Sequence, residues 1–357
     1  MALAYRWTLL SATLVALVVL TLVAAACGGG GSTSVTGLAS PADLRGRTVG
    51  VVSLTDGATL EARLLLQEAY GLDVSLEDGD VTIVESSAES LPTLLQDGDI
   101  DAAVVSHLGA FRLSDDETFR LLSRVTEEMR EITGAPIMSS ILITYPDVAD
   151  QRAEALVELN RMLAESVTYF NANRDDVIEA VAADQTSDSE FLRWWWDRHD
   201  IPLGDLSADL QERLLHIWEA ARMIGDIEEY PELASVLFNV EGGERESPDA
   251  AEQSEATKGD RTTVSLALLD DASRRAVLYA IEQGIVTSDL VDLDLTYLPK
   301  SALTEAAPAK QYDVIEASPL VVPLGQMQDL GFVVLSGGLQ NRDGTFLFVR
   351  NGRNATR

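Results

Sequence analysis

Thr48-Val49-Gly50-Val51-Val52-Ser53-Leu54-Thr55-Asp56-Gly57-Ala58-Thr59-Leu60 passes from a β-branched run, through a turn of hydroxyl and acidic residues, into a segment with helical spacing. Leu60, Leu64, Leu65 and Ala69 fall on one side of that segment, Gly57 to Tyr70. A second strand reads from Val81 to Val84, a helix from Ser90 to Gln96, and a third strand from Ala102 to Val105. This βαβαβ order predicts a parallel sheet with helices on its faces. Ser140 to Thr144, ending at Tyr145-Pro146, reads as a strand that leaves the lobe.

Downstream the period changes. Leu156, Leu159, Leu163, Val167 and Phe170 share a helix face, and Leu210, Leu214, Ile217 and Ala221 repeat the spacing. Trp194, Trp195 and Trp196 are consecutive, so they cannot all face one way on a helix; at least one is expected in the core or at a lobe edge. From Asn239 to Thr262 the apolar period vanishes into Gly, Glu, Asp and Ser, the composition of a linker. Strands return at Val264 to Leu268, Leu293 to Leu298 and Asp313 to Ile315, with helices at Ser273 to Glu282 and Ser301 to Lys310. The second set mirrors the first: Tyr70-Gly71-Leu72 matches Gln283-Gly284-Ile285, and Ile100-Asp101-Ala102 matches Tyr312-Asp313-Val314. Two copies of one plan predict an α/β fold of two βαβαβ lobes around a ligand cleft, at the carboxyl ends of the strands, with a helical segment completing one lobe.

The amino-terminal residues bear on compartment. Arg6 precedes an apolar run from Trp7 to Ala26, followed by Cys27 and the glycines Gly28 to Gly31. That order is expected of a signal peptide over 1–26 with lipidation at Cys27, then a flexible tether over 27–42. The run is also close to the roughly 20 apolar residues that span a bilayer, so an uncleaved anchor is the alternative. Either way the rest is expected outside the cytoplasm, held at the membrane. Cys27 is the single cysteine, so no internal disulfide forms. With 26 Lys and Arg against 58 Asp and Glu, the formal charge of −32 argues against nucleic acid and anionic lipid as partners.

Ser40-Pro41-Ala42-Asp43-Leu44-Arg45-Gly46-Arg47-Thr48-Val49-Gly50-Val51, Gln96-Asp97-Gly98-Asp99-Ile100-Asp101-Ala102-Ala103 and Tyr145-Pro146-Asp147 with Tyr169-Phe170-Asn171-Ala172-Asn173 carry a likeness. Together they resemble the periplasmic solute-binding proteins of ABC importers of the nitrate, sulfonate, taurine and thiamine-precursor type. The resemblance implies a periplasmic-binding-protein-like fold that is circularly permuted, because first-lobe-like sequence here follows the helices. It gives an α/β lobe at 43–146 (the family's second), helices at 147–238, a linker at 239–262 and an α/β lobe at 263–357 (the family's first). Arg350 is then expected near Asp43, and Tyr145 in the second crossing strand.

Candidate ligand contacts lie in the turns that face the cleft. Ser53, Thr55, Asp56, Gly57 and Thr59 form the first, where Thr55 or Asp56 also qualifies as a helix cap. Asp270, Asp271 and Ser273 occupy the equivalent turn of the second lobe. Ser106 and His107, and Glu316 and Ser318, follow the third strands; His107 reads as a donor to ligand or as a cap of the helix after it. His199 and His216 read as a surface and an interface residue. No zinc spacing, cofactor motif or catalytic set is expected, and Lys300 and Lys310 are placed on one surface helix. The functional expectation is a non-enzymatic, lipid-anchored solute-binding component that delivers a small organic solute to an ABC permease. A ligand sensor for a membrane kinase, and a lyase or synthase on the same bilobed fold, are the alternatives.

Overall fold

β-Branched and small residues that pack on both faces make Thr48–Val51 a buried strand, β1, and the chain around it was described in a computed structural model. The structure describes residues 37–54, 56–134, 137–185, 187–238 and 261–352. Cys27, Thr55 and residues 239–260 of the expected linker lie outside them.

Helix α1 (Gly57–Glu68) follows β1, then β2 (Thr82–Glu85), α2 (Leu91–Asp97), β3 (Ala102–Ser106), α3 (His107–Ser114), β4 (Phe119–Ser123) and α4 (Val125–Thr133). The chain next forms β5 (Ile137–Met138) and β6 (Ile141–Thr144), then α5 (Pro146–Gln151), α6 (Ala153–Ala172), α7 (Arg174–Gln185), α8 (Ser189–Trp196), β7 (His199–Asp200), α9 (Ala208–Met223) and α10 (Leu233–Val236). After residue 260 come β8 (Thr262–Leu269), α11 (Ala272–Glu282), β9 (Val291–Leu298), α12 (Lys300–Ala306), β10 (Val314–Ala317), α13 (Val321–Gln326), β11 (Val333–Gly337), β12 (Gln340–Asn341) and β13 (Thr345–Arg350).

Two five-stranded sheets result, in the orders β2-β1-β3-β13-β4 and β9-β8-β10-β6-β11. They share one plan. In each, three parallel strands meet an antiparallel strand lent by the other half of the chain: β13 beside β3, and β6 beside β10. The fold is α/β and bilobed. Both faces of β13 are buried, Phe346 and Phe348 on one side and Leu347 and Val349 on the other, which is why its sequence runs apolar without alternation. The helices complete the second lobe: α6 packs on α11, Ser166 Oγ donates to the Val277 carbonyl at 2.5 Å, and Asn160 Nδ2 donates to that of Leu335 at 3.0 Å. A small sheet, β5-β12-β7, lies where the crossing segments pass.

Several boundaries differ from the sequence reading. Thr262 is not linker: it pairs with Val291 as the first residue of β8, because its amide reaches the Leu290 carbonyl. Tyr145 ends rather than occupies the crossing strand β6; it is the amino-terminal cap residue of α5, with its hydroxyl on the Ala307 carbonyl at 2.8 Å. Lys310 lies beyond α12, which stops at Ala306, so it shares no helix with Lys300. At the other end, Arg350 pairs with Phe119 on β4, and the neighbouring Arg120 donates to the Leu38 carbonyl. Helices α5 to α10 stand between the lobes in chain order, the placement from which permutation was read.

One buried carboxyl ties the first lobe to the β12–β13 connection. Glu61 of α1 accepts from Thr126 Oγ1 at 3.0 Å and Asn341 Nδ2 at 3.1 Å through Oε2, while Oε1 has no partner. Burial pushes its pKa up to about 8. A folded-state value above the unfolded one stabilises at low pH, so stability is expected to fall as pH rises from the ordinary carboxylate value toward 8, with the slope of one proton. Urea midpoints across that range should lose this slope in Glu61→Gln.

Candidate functional site

The turn after β1 brings Asp56 to the cleft. Asp56 stands at the amino-terminal cap of α1, yet its side chain makes no capping bond. It pairs instead with Lys300 Nζ at 3.0 Å, and Lys300 opens α12 in the other lobe. The ion pair therefore bridges the lobes, so Lys300, exposed as expected at the start of α12, also reaches the cleft. Both side chains meet solvent, so the pair contributes at most about 1 kcal/mol.

Strand β3 delivers the second group. Ser106 pairs with Thr345 and caps α3 without a side-chain bond, and His107 follows with φ 53°. A left-handed conformation is costly for a residue with a Cβ, so the packing around His107 must hold it there. Trp195 supplies part of that packing: its Nε1–H donates to His107 Nδ1 at 2.7 Å. An indole nitrogen can only donate, so Nδ1 of His107 must accept and the neutral ring carries its proton on Nε2. His199 lies against both rings, 4.2 Å from Trp195 and 5.5 Å from His107 between centroids, nearly parallel to each. Its Nδ1 faces the Trp195 carbonyl at 3.0 Å and so carries the proton. Gly344 passes so close to the His199 ring that a Cβ there has no room.

The second lobe contributes Asp271, the cap of α11, which accepts from the Ser273 amide at 2.6 Å. Arg274, one turn on, is buried in a fork with Glu316: Nη2 to Oε1 at 2.5 Å and Nε to Oε2 at 3.2 Å. Glu316 also accepts from Ser140 Oγ at 2.6 Å and from the Leu269 amide at 3.1 Å. Burial acts to raise the Glu316 pKa, but Arg274 and these bonds outweigh it and hold the carboxylate ionised. Asp271 is likewise held below the usual carboxylate range, burial being outweighed by Arg274, His107 and Ser273.

These groups act on His107 together. Burial, the largest influence, lowers its pKa; Asp271 and Asp56 raise it, and Arg274 and Lys300 lower it. The His199 pKa lies well below its ordinary value, chiefly through burial. The result at neutral pH is an uncharged His107 that offers an Nε2–H donor, beside ionised Asp271 and the Asp56–Lys300 pair.

Of the residues singled out in the sequence, Asp56, His107 and Asp271 converge electrostatically at this point. Gly57 begins α1 close to Ser139, where a Cβ would meet Ser139 at 3.3 Å. Ser53 lies half-buried before it, and Thr59 is buried in the first turn of α1. Ser273 is buried and accepts from Arg274 Nη1 at 3.1 Å. Asp270 turns away to Arg275, and Ser318 Oγ accepts from the Leu320 amide. Trp195, Arg274 and Lys300 were not anticipated at the site, and His199, expected on the surface, is buried within it. Among the described residues no cluster of three or more His, Cys, Asp or Glu is arranged to hold a metal, and no helix is long and apolar enough to cross a membrane.

Among solved structures, a phosphate-binding protein of a phosphate ABC transporter from Streptococcus pneumoniae is 13% identical, with 87% of this chain and 90% of that one covered and a TM-score of 0.26. The aliphatic sulphonate binding protein of Escherichia coli is 9% identical over 85% and 64% of the two chains, with a TM-score of 0.29. For a tungstate ABC transporter from Geobacter sulfurreducens the values are 8%, 87%, 86% and 0.33. At TM-scores of this size nothing is carried over from them to this chain. No curated protein matches it. The family model described as menaquinone biosynthesis matches residues 9–217, over half of the chain, including the first lobe and most of the helices. The match replaces the nitrate, sulfonate, taurine and thiamine-precursor subtype drawn from short motifs. It also overturns the expectation of a non-enzymatic protein, since the family it points to is biosynthetic. By the extent of that match, the chain belongs to the menaquinone biosynthesis family.

Proposed function

We propose that the chain catalyses a step of menaquinone biosynthesis, of lyase or synthase type, on a small oxygenated substrate held between its lobes. In this reading the His107 Nε2–H donates to a substrate oxygen on which negative charge develops, and the ionised Asp271 and the Asp56–Lys300 pair orient the rest. One observation carries it: the Trp195 indole on His107 Nδ1 at 2.7 Å, which leaves Nε2 as the ring's donor in an otherwise strained residue. A neutral imidazole preorganised in this way stabilises an oxyanion without first having to lose a proton. The test is complementation: a host that cannot make menaquinone, supplied with this chain, is expected to regain quinone. Failure of the wild-type chain at normal expression would remove the reading.

The solute-import reading rests on a different feature, the apolar run that stops at Cys27. In that reading Cys27 is lipidated, the chain stays outside the cytoplasm, and closure over the Asp56–Lys300 pair presents a bound molecule to a membrane permease. Co-purification of a permease with the chain, without restoration of quinone, would favour it.

A further inference from the structure

The buried carboxyl of Glu61 is joined to His107 by two routes. On the first, Glu61 Oε2 accepts from Asn341 Nδ2 at 3.1 Å and from Thr126 Oγ1 at 3.0 Å, and the same Asn341 Nδ2 donates to Thr345 Oγ1 at 2.7 Å. These bonds close the turn from β12 to β13. They bring Gly344 down on His199, where a Cβ would stand 2.3 Å from the ring and 2.7 Å from Asn341 Oδ1. Asn341 also pairs with His199 across β12 and β7. His199 passes the contact on, since its ring lies nearly parallel to those of Trp195 and His107. On the second route the Thr345 amide donates to Thr126 Oγ1 at 3.1 Å, which seats β13 where Thr345 faces Ser106, the residue before His107.

A buried acid without a counter-charge is destabilising unless it is neutral and hydrogen-bonded. None of the described ion pairs involves Glu61. The charged group that acts on it is Asp343, which repels it and is itself paired with Arg124 at 2.6 Å. On α4, Glu127 pairs with Arg124, Glu128 accepts from Tyr70 and Ser123, and Arg130 donates to the Arg342 carbonyl. Arg63, on α1 itself, is committed to Asp226, and β3 and β5, which also pack on α1, carry no charged residue. With burial lifting its pKa to about 8, Glu61 is mostly neutral at pH 7. Its Oε1 has no partner, so the link to the turn rests on Oε2 as an acceptor, a role an amide oxygen also fills. At the far end of both routes stands His107 with φ 53°, a conformation that only its surroundings maintain.

We propose that Glu61 is a positioning residue for His107: buried away from solvent, it fixes the Asn341–Thr345 turn that packs His199 and seats the strand end carrying His107. Its effect on turnover rests on the oxyanion role given to His107 above; its effect on the surroundings of His107 does not. The test is an NMR titration of the purified full chain labelled with 15N-histidine, with His216 on α9 as the internal reference. Wild-type spectra should show the proton on Nε2 of His107 and on Nδ1 of His199, and a His107 midpoint below the ordinary histidine value. Glu61→Leu and Asn341→Ala break one link from its two sides. Each should raise that midpoint toward the ordinary value as the ring stack opens to water, and both together should raise it no further than one alone. Where Glu61→Leu does not fold, Asn341→Ala decides. The charged groups acting on His107, namely Asp271, Asp56, Arg274 and Lys300, are untouched in these variants. Glu61→Gln should keep the wild-type midpoint, and so should Tyr70→Phe, which cuts a separate hydrogen bond of the first lobe and reports general loss of stability. On the oxyanion reading, quinone formation in the complemented host should fall at least about tenfold in Asn341→Ala, within the roughly hundredfold that a misplacement of 1 Å can cost. A midpoint unmoved in Asn341→Ala, raised equally in Glu61→Gln, or moved as far in Tyr70→Phe would overturn the proposal. Wild-type complementation that fails while the midpoints shift as described would remove the catalytic reading and leave the positioning role of Glu61 standing.

Discussion

Turnover in His107→Gln should fall by roughly 10²–10³-fold, the loss typical when one preorganised donor to a developing oxyanion is removed. The readout is the rate of quinone formation in the complemented host, normalised to folded protein. Trp195→Phe provides the control for positioning. It keeps most of the ring stacking with His199 but removes the N–H that fixes the His107 tautomer. Its rate should fall less, and the acid limb of its pH profile should move to higher pH, because Nδ1 becomes free to take a proton. In the wild-type chain, burial holds the His107 pKa below its ordinary value, so activity should be flat through neutrality and decline only on the acid side. A variant profile that does not move would reduce Trp195 to a packing residue.

Glu316→Gln should destabilise the fold by about 3–5 kcal/mol, because it leaves the Arg274 guanidinium buried without its counter-charge. For a chain of this size that is a drop in Tm of roughly 10 °C. The paired change Arg274→Met with Glu316→Leu should recover most of the loss, since an apolar pair of similar volume has no desolvation penalty to offset. The pH sign is set by the depressed Glu316 pKa: its contribution is present above the ordinary carboxylate value and lost as pH falls through the folded-state value. Tm measured against pH should therefore show an acid limb that shrinks in the paired variant. This is opposite in sign to the slope expected from Glu61, so the two can be told apart in one pH series.

The legible part of this protein is its local order. β-Branched runs alternating with helical spacing gave both sheets, and the turns after β1, β3 and β8 were placed at the cleft because a parallel sheet puts its carboxyl-end loops together. What could not be read was partnership across the fold. Glu316 looked like a ligand contact from its position after β10, but only the folded chain shows it spent on Arg274 and Ser140. Lys300 is exposed as expected, but its partner Asp56 is far away in sequence, so the bridge between them could not be read. His199 followed a tryptophan run and carried no sign of the ring stack that buries it. The importer subtype was misread for a related reason: short elements around a βα turn report the geometry of the turn and not the chemistry performed above it.

The exchanged strands β6 and β13 have a consequence for how the chain acquires its structure. The first sheet has a vacant position between β3 and β4 until residues 345–350 are available, so its early strands must wait for a segment more than two hundred residues later. Pairings that distant close large loops and slow folding. During synthesis the first lobe is therefore an open sheet with two unpaired edges, the kind of intermediate that chaperones protect. Once β13 is in place neither lobe can open fully without pulling a strand from the other. Thermal unfolding of residues 38–352 should accordingly appear as one cooperative transition, and an isolated 43–146 fragment should not refold.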